Sequence, residues 1–406
     1  MGRFVIEGNR RLDGEVTVSG SKNAALPIIF STLIINGVSV LRNLPDIGDV
    51  DVALELIRCF GAQTVRAGST LTIDTRDLTY TRPPRSLTEK IRASTYLIGA
   101  TLARFGVAHV GDFGGCNFDT RPIDMHLYAA GRLGATVDGD GLSASRLVGK
   151  DIYFDKASVG ATVNAIIMAS RASGKTNIYN PALEPHVLSL VSFLKRAGIK
   201  FTVRVGCISV TGGEPCSSSA KIIPDMIEAG TYISLSLLTQ SHVLVKGVDR
   251  AHLDSFLAPL VNAGAVLEYD RDTLLASGEL DSPIDVVTAT YPGFPTDLQP
   301  IIAPLMLKYD GGSITESVWR GRFGYLCELA SFGARFSQND SKATLYKSAL
   351  HSAHAVATDL RGGASLVITA LSTEGQSVIE HSETVKRGYD NIVNKLRRLG
   401  ASIYEE

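Results

Sequence analysis

What this 406-residue chain has little of narrows it first. Cysteine is scarce and scattered: Cys59, Cys116, Cys207, Cys216 and Cys327, with no Cys-x-x-Cys. An odd, dispersed set excludes a disulfide framework and a zinc ribbon. The eight histidines show no metal-ligand spacing, so neither a metal nor another cofactor is expected. Charge of one sign is also missing. Forty Lys and Arg face 41 Asp and Glu, and a net charge of −1 provides no basic field for nucleic acid. No apolar run reaches the length that crosses a membrane. The opening Met1-Gly2-Arg3-Phe4-Val5-Ile6-Glu7-Gly8 does not read as a signal peptide, so the cytoplasm is the expected compartment. There is no Walker loop and no dinucleotide fingerprint. A Pro/Gly/Ser-rich linker is absent too; the nearest candidate is Cys216-Ser217-Ser218-Ser219-Ala220, close to the midpoint.

What is present is repetition. An amphipathic helical pattern ending in Gly, usually Gly-Ala, and followed by a strand pattern recurs six times. The key glycines are Gly61, Gly134, Gly198, Gly264, Gly333 and Gly400. Each reads as a left-handed helix C-cap, where a Cβ would clash. A second repeat runs out of phase with the first. Stretches such as Ala24–Phe30, Ser94–Phe105, Ala161–Ala172 and Ala364–Leu371 are small and apolar nearly all round. Helices of that kind are buried rather than laid on a surface. Units of this size are longer than solenoid repeats. Six of them imply an α/β protein of two domains, each with three pseudo-symmetric units, apolar helices inside and sheets outside. A cleft between two such domains is a natural ligand site.

Chemistry-bearing residues gather near the starts of the apolar helices. Lys22 and Asn23 follow Gly20-Ser21, and a helix N-terminus beside a cation suits an anion. Arg92 opens a similar segment. Arg121, Arg361 and Arg387 lie beside small or glycine-bearing turns, and guanidinium forks are the preferred hold for carboxylate and phosphate. Asp297, after the stiff Phe294-Pro295, reads equally as a helix N-cap or as a catalytic carboxylate. Lys156 precedes the small turn Ser158-Val159-Gly160, whose backbone amides would suit a phosphate. The loop Gly114-Gly115-Cys116-Asn117-Phe118-Asp119-Thr120-Arg121-Pro122 puts a thiol, a carboxylate and a guanidinium on one bend.

In this order the motifs resemble those of the UDP-N-acetylglucosamine 1-carboxyvinyltransferase (enolpyruvyl transferase) family, which shares its superfamily with EPSP synthase. The resemblance runs over nearly the whole chain. It takes in Gly20-Ser21-Lys22-Asn23-Ala24-Ala25, Arg92-Ala93-Ser94, Gly114-Gly115-Cys116, Asp124-Met125-His126 and Asp155–Thr162. It continues through Pro224-Asp225, Phe294-Pro295-Thr296-Asp297, Asp359-Leu360-Arg361 and Arg387-Gly388-Tyr389. It implies two inside-out α/β barrel-like domains, 22–225 and 1–21 plus 226–406, with the active site in the cleft between them.

The implied reaction moves the enolpyruvyl group of phosphoenolpyruvate to the 3-hydroxyl of UDP-N-acetylglucosamine and releases phosphate, the first committed step of peptidoglycan synthesis. Such chemistry needs an acid at the methylene and a base at the hydroxyl. The resemblance assigns these to Cys116, also the thiol that fosfomycin-like epoxides alkylate, and to Asp297. It places Lys22, Arg92, Arg121, Arg322, Arg361 and Arg387 around phosphoenolpyruvate. Asn23, Arg121, Pro122, Ile123, Asp124, Met125, Lys156, Ser158, Val159, Gly160, Asp297 and Val318 fall to the nucleotide acceptor. The partners implied are two small molecules, with no nucleic acid and no membrane.

Three departures concern the acceptor. Asn117-Phe118-Asp119-Thr120 stands where the family has Ala-Ile-Gly after the cysteine. Trp319-Arg320-Gly321-Arg322-Phe323 replaces Phe-Glu-Asn-Arg-Phe, and Met226 replaces an arginine. They leave open a paralogue that uses UMP or another uridine nucleotide in secondary metabolism. A non-catalytic paralogue would lack a catalytic group, whereas Cys116, Asp297 and Lys22 are all present.

Overall fold

In the computed structural model, residues 2–111, 113–114 and 122–406 are described. The chain divides into two compact units, one spanning Gly20–Ile223 and the other made of residues up to Ser19 together with Pro224–Glu406. The division falls two residues before the boundaries expected at 22 and 225, for a local reason. Ser21 N–H donates to Ile223 O at 2.7 Å within one unit, while Asp225 N–H donates to Ser19 O at 2.9 Å within the other. In the latter unit Ser19 is held further by buried charge. Its N–H donates to Glu228 Oε2 at 2.8 Å, and Lys395 Nζ reaches both its hydroxyl (2.6 Å) and Glu228 Oε1 (2.5 Å). Burial pushes the Glu228 carboxyl up to about 7 even against that ammonium.

Twelve helices of seven or more residues lie among the described residues. The first unit holds α1 (Lys22–Ser31), α2 (Gly48–Arg58), α3 (Tyr96–Phe105), α4 (Asp124–Arg132), α5 (Val159–Arg171) and α6 (Pro185–Arg196). The second holds α7 (Met226–Thr239), α8 (Asp254–Asn262), α9 (Gln299–Lys308), α10 (Gly324–Ala330), α11 (Leu360–Ser372) and α12 (Ile392–Arg398). Odd-numbered helices are the inner ones. From Ile227 to Leu238 every residue of α7 is buried, polar Ser234 and Ser236 included. Even-numbered helices bury one face only; in α6 that face is Val187, Leu190, Val191 and Leu194, the spacing of an amphipathic helix. In each unit the inner helices pack on one another, and each unit has its own hydrophobic core.

Among the described residues, three sheets stand around each helical centre. Five of the six repeat one plan: a parallel pair, then two antiparallel strands. The N-terminal strands belong to the second unit. Asp13–Thr17 pairs in parallel with His242–Lys246, and Arg3–Glu7 lies between Gln376–Glu380 and Ser402–Glu405. Those strands make the second unit discontinuous in sequence.

All six glycines at the ends of the even-numbered helices have positive φ, from 89° at Gly333 to 113° at Gly264. The serine-rich segment near the midpoint is not a linker. Ser218–Lys221 is a strand paired in parallel with Ser39–Arg42, and it completes the first unit's sheet before the chain leaves at Pro224. Two of the glycines separate strain from crowding. A Cβ on Gly198 meets nothing within 4 Å, whereas one on Gly264 would sit 2.7 Å from Glu279 O. Gly198→Ala should therefore cost only the left-handed strain of about 1–2 kcal/mol, and Gly264→Ala should cost clearly more. Urea midpoints compare them; equal losses would mean that the Glu279 contact relaxes freely.

Candidate active-site elements

In the second unit the site is built on the entry to α9. Thr296–Leu298 forms a single 3-10 turn after Pro295, so the N-cap position of α9 falls on Leu298 rather than on Asp297. Its carboxylate instead faces two guanidiniums. Arg322 Nη2 donates to Oδ1 at 2.8 Å, and Arg361 Nε and Nη2 lie 3.4 Å from Oδ2. The arginine side chains are 8% and 4% exposed, the carboxylate 29%. The base candidate is thus the part of the cluster that opens outward.

Arg361 is the second residue of α11, whose N-cap Asp359 accepts from Arg361 N and Gly362 N at 2.9 Å each. Its guanidinium lies 5.5 Å over the ring of Tyr389, whose hydroxyl is 2.8 Å from Thr231 Oγ1. Burial works to lower the Arg361 pKa, but Asp297 and other nearby negative groups outweigh it and hold the value above its ordinary one. Burial likewise pushes the Tyr389 phenol up to about 12, in spite of Arg361. Arg361 Nη1 is buried and has no hydrogen-bond partner among the described residues. A buried, unsatisfied guanidinium N–H costs free energy that an arriving anion would recover.

Glu316, 1% exposed, organises the other side. Its Oε1 accepts from Thr288 Oγ1 (2.7 Å), Val318 N (2.8 Å) and Trp319 N (2.9 Å). Its Oε2 accepts from Thr296 Oγ1 (2.9 Å), which in turn accepts from Arg322 Nη1 at 2.9 Å. One buried carboxylate therefore fixes the threonine beside Asp297 and the backbone at Val318. Arg320 is exposed, Met226 is half-buried against the core of the unit, and Arg387 is half-buried at the end of the short helix Ser382–Lys386.

In the first unit, Ser21 caps α1 through Ala24 N, and Lys22 and Asn23 are its first two residues. Lys22 Nζ is 3.1 Å from Asp49 Oδ2, with side chains only 14% and 6% exposed, so this lysine is not a solvated surface residue. Arg92 begins the 3-10 turn Arg92–Thr95. Asp124–His126 and Ser158–Gly160 come together: a Cβ on Gly160 would lie 3.0 Å from His126 Cε1. His126 Nδ1 is 2.7 Å from Asn164 Nδ2, so the ring accepts there and carries its proton on Nε2 when neutral. Asn164 is held in turn by Thr95 O (3.0 Å) and Gly99 N (2.7 Å). Ser158 caps α5 through Ala161 N, and Lys156 is exposed just before it. Pro122, Ile123, Asp124 and Met125 lead into α4 and its first turn. Cys116, Arg121 and the departing Asn117–Thr120 lie outside the described residues.

Asp49, His126, Asn164 and Glu316 support these sites, and only His126 stood within a motif noted from the sequence. Glu316 follows an ordinary strand, Gly312–Thr315, and nothing in its neighbours announces a buried acid.

The sequence pattern of the family described as EPSP synthase (3-phosphoshikimate 1-carboxyvinyltransferase) matches residues 6–396. The chain is 39% identical over 412 residues to UDP-N-acetylglucosamine 1-carboxyvinyltransferase 3 of Caldanaerobacter subterraneus, covering 99% of both chains. It is 38% identical to the UDP-N-acetylglucosamine 1-carboxyvinyltransferase of Halothermothrix orenii, again with 99% of both covered. Among solved structures, the enolpyruvyl transferase NikO of Streptomyces tendae superposes with a TM-score of 0.89 at 27% identity, over 100% of this chain and 99% of that one. EPSP synthase of Acinetobacter baumannii, at 17% identity and a TM-score of 0.75 over 100% of both chains, shares the fold.

Burial, reinforced by Arg92, lowers the His126 pKa from 6.5 to about 4. Above pH 6.5 the ring is neutral whether folded or unfolded. As pH falls toward 4 the unfolded chain takes up the proton first, so the folded state loses about 3 kcal/mol from this group. His126→Gln should lack that component. Unfolding free energies measured from pH 7 to 4 check it, and parallel profiles for the two proteins would dismiss it.

Proposed function

This chain belongs to the enolpyruvyl transferase family, and from that premise we propose that it transfers the enolpyruvyl group of phosphoenolpyruvate to the 3-hydroxyl of UDP-N-acetylglucosamine. The observation that carries the reading is Asp297, a carboxylate that opens outward beside two buried guanidiniums, with Arg361 Nη1 lacking a hydrogen-bond partner among the described residues. The cytoplasm, where phosphoenolpyruvate is made, is the compartment this reading requires.

In the addition step the Cys116 thiol gives its proton to the methylene carbon. The sugar oxygen bonds to the carbon that bears the phosphate oxygen, and its proton passes to Asp297. In the elimination step that carbon loses phosphate, a methyl proton passes back to the Cys116 thiolate as the double bond reforms, and the enol ether remains on the sugar. Charge develops first on the central carbon and then on the departing phosphate, so fixed cations supply the stabilisation. Arg322 and Arg361 hold the carboxylate of phosphoenolpyruvate. Lys22, Arg121 and Arg387 hold its phosphate, with Arg92 nearby. The His126–Gly160 contact supports the reading that Asp124–Met125 and Ser158–Gly160, with Lys156, receive the uridine and diphosphate of the acceptor. Asn23 and Val318 complete that side.

A second reading, with UMP or another uridine nucleotide as acceptor, is favoured by one observation: the exposed Arg320, which stands where the resembled family carries an acid. Phosphate release from phosphoenolpyruvate with a panel of UDP-N-acetylglucosamine, UDP and UMP decides between them. Turnover with the sugar nucleotide is expected; turnover with UMP alone would replace the first acceptor by the second. Asp297→Asn should lower kcat by about 10²–10⁴-fold. A kcat within a few-fold of wild type would remove Asp297 from the role of base.

A further inference from the structure

The inner helices of the second unit have another end. Thr239 closes α7, Lys308 closes α9, and Leu371 and Ser372 close α11. All four line one cavity of about 250 Å³, which Arg10 and Arg11 also border from the N-terminal segment. The three inner helices therefore run parallel, and their C-termini converge. Asp297 and Arg361 stand at the opposite ends of α9 and α11, about 15–20 Å away along the helix axes.

Converging C-termini should gather cations, and this alone would account for some of the charge. The magnitudes say how much. Three helix C-termini carry roughly −1.5 elementary charges together. Arg10, Arg11 and Lys308 bring three positive charges, and among the described residues no acidic one lines the cavity. The contacts separate the three cations in the same way. Lys308 Nζ donates to Leu238 O, the ordinary C-terminal role. Arg10 and Arg11 are exposed, and neither side chain makes a hydrogen bond or an ion pair among the described residues. Two guanidiniums thus face a cavity where a lysine already serves the end of α7.

We infer that this cavity binds a small, multiply charged phosphoryl anion. Guanidinium forks match phosphoryl oxygens two at a time. Asn9 adds a neutral polar side chain to the lining, whereas Gln240 Nε2 already donates to Leu237 O, Gly278 O and Tyr309 Oη and the Ser372 hydroxyl to Thr369 O, so the two arginines carry the recognition. A volume of about 250 Å³ is ample for an anion of the size of pyrophosphate with some of its water. The site is separate from the one assigned to phosphoenolpyruvate and does not depend on that assignment.

The test uses the full chain and pyrophosphate itself. Amide resonances of Thr239, Gln240 and Ser372 report this cavity and not the opposite helix ends. They should shift saturably, with a dissociation constant of about 1 mM or tighter. Arg10→Gln combined with Arg11→Gln should weaken that binding at least about tenfold while phosphate release from phosphoenolpyruvate stays unchanged. Shifts that never saturate, or equal affinity in the double variant, would overturn the site. Citrate binding as tightly as pyrophosphate would overturn its phosphoryl character.

Discussion

Helices that are apolar on every side set the terms for this protein. An inner helix such as α7 cannot rest on a surface, so it needs neighbours all round. Three such helices shield one another, and three sheets with amphipathic helices cover the remainder. Charged groups therefore gather at the helix ends. There the backbone leaves N–H groups unpaired at one end and carbonyls at the other. The candidate residues follow from this. Lys22 and Asn23 begin α1, Val159 and Gly160 begin α5, Asp297 lies in the 3-10 turn that leads into α9, and Arg361 lies in the first turn of α11.

The charged cluster at the entry to α9 and α11 is supported as a unit. Buried ion pairs are weak contributors to stability, because desolvation offsets much of their attraction. Their use here is geometric. Arg322 is tied to Thr296 and Asp297, Thr296 to Glu316, and Glu316 to the backbone at Val318 and Trp319. Arg361 packs over Tyr389, which bonds Thr231. Moving any one member would leave buried polar groups without partners, so the carboxylate of Asp297 is held at one position relative to both arginines.

Much of the fold was legible in the chain. The six glycines at the ends of the outer helices marked left-handed caps, and the all-round apolar stretches marked the inner helices, because both signals are local and periodic. The serine-rich midpoint, Cys216–Ala220, was only the nearest candidate for a linker; Ser218–Lys221 is a strand, which was not legible because its partner, Ser39–Arg42, lies far away in sequence. Asp297 was ambiguous for a similar reason. An acid before a helix reads as a cap, and only Arg322 and Arg361, 25 and 64 residues on, show where its oxygens go.

The sequence by itself determined the class of the protein: six repeated units, buried and exposed helices told apart by their periodicity, and ordered motifs that point to enolpyruvyl transfer. Tertiary structure decided the rest. It paired Lys22 with Asp49 and His126 with Asn164, buried Glu316 beneath Thr296, and gathered Arg10, Arg11 and Lys308 at one end of three parallel helices. Periodicity tells which face of an element is buried. It does not tell which distant residue will meet that face, because such pairings depend on how the repeated units close around a shared centre.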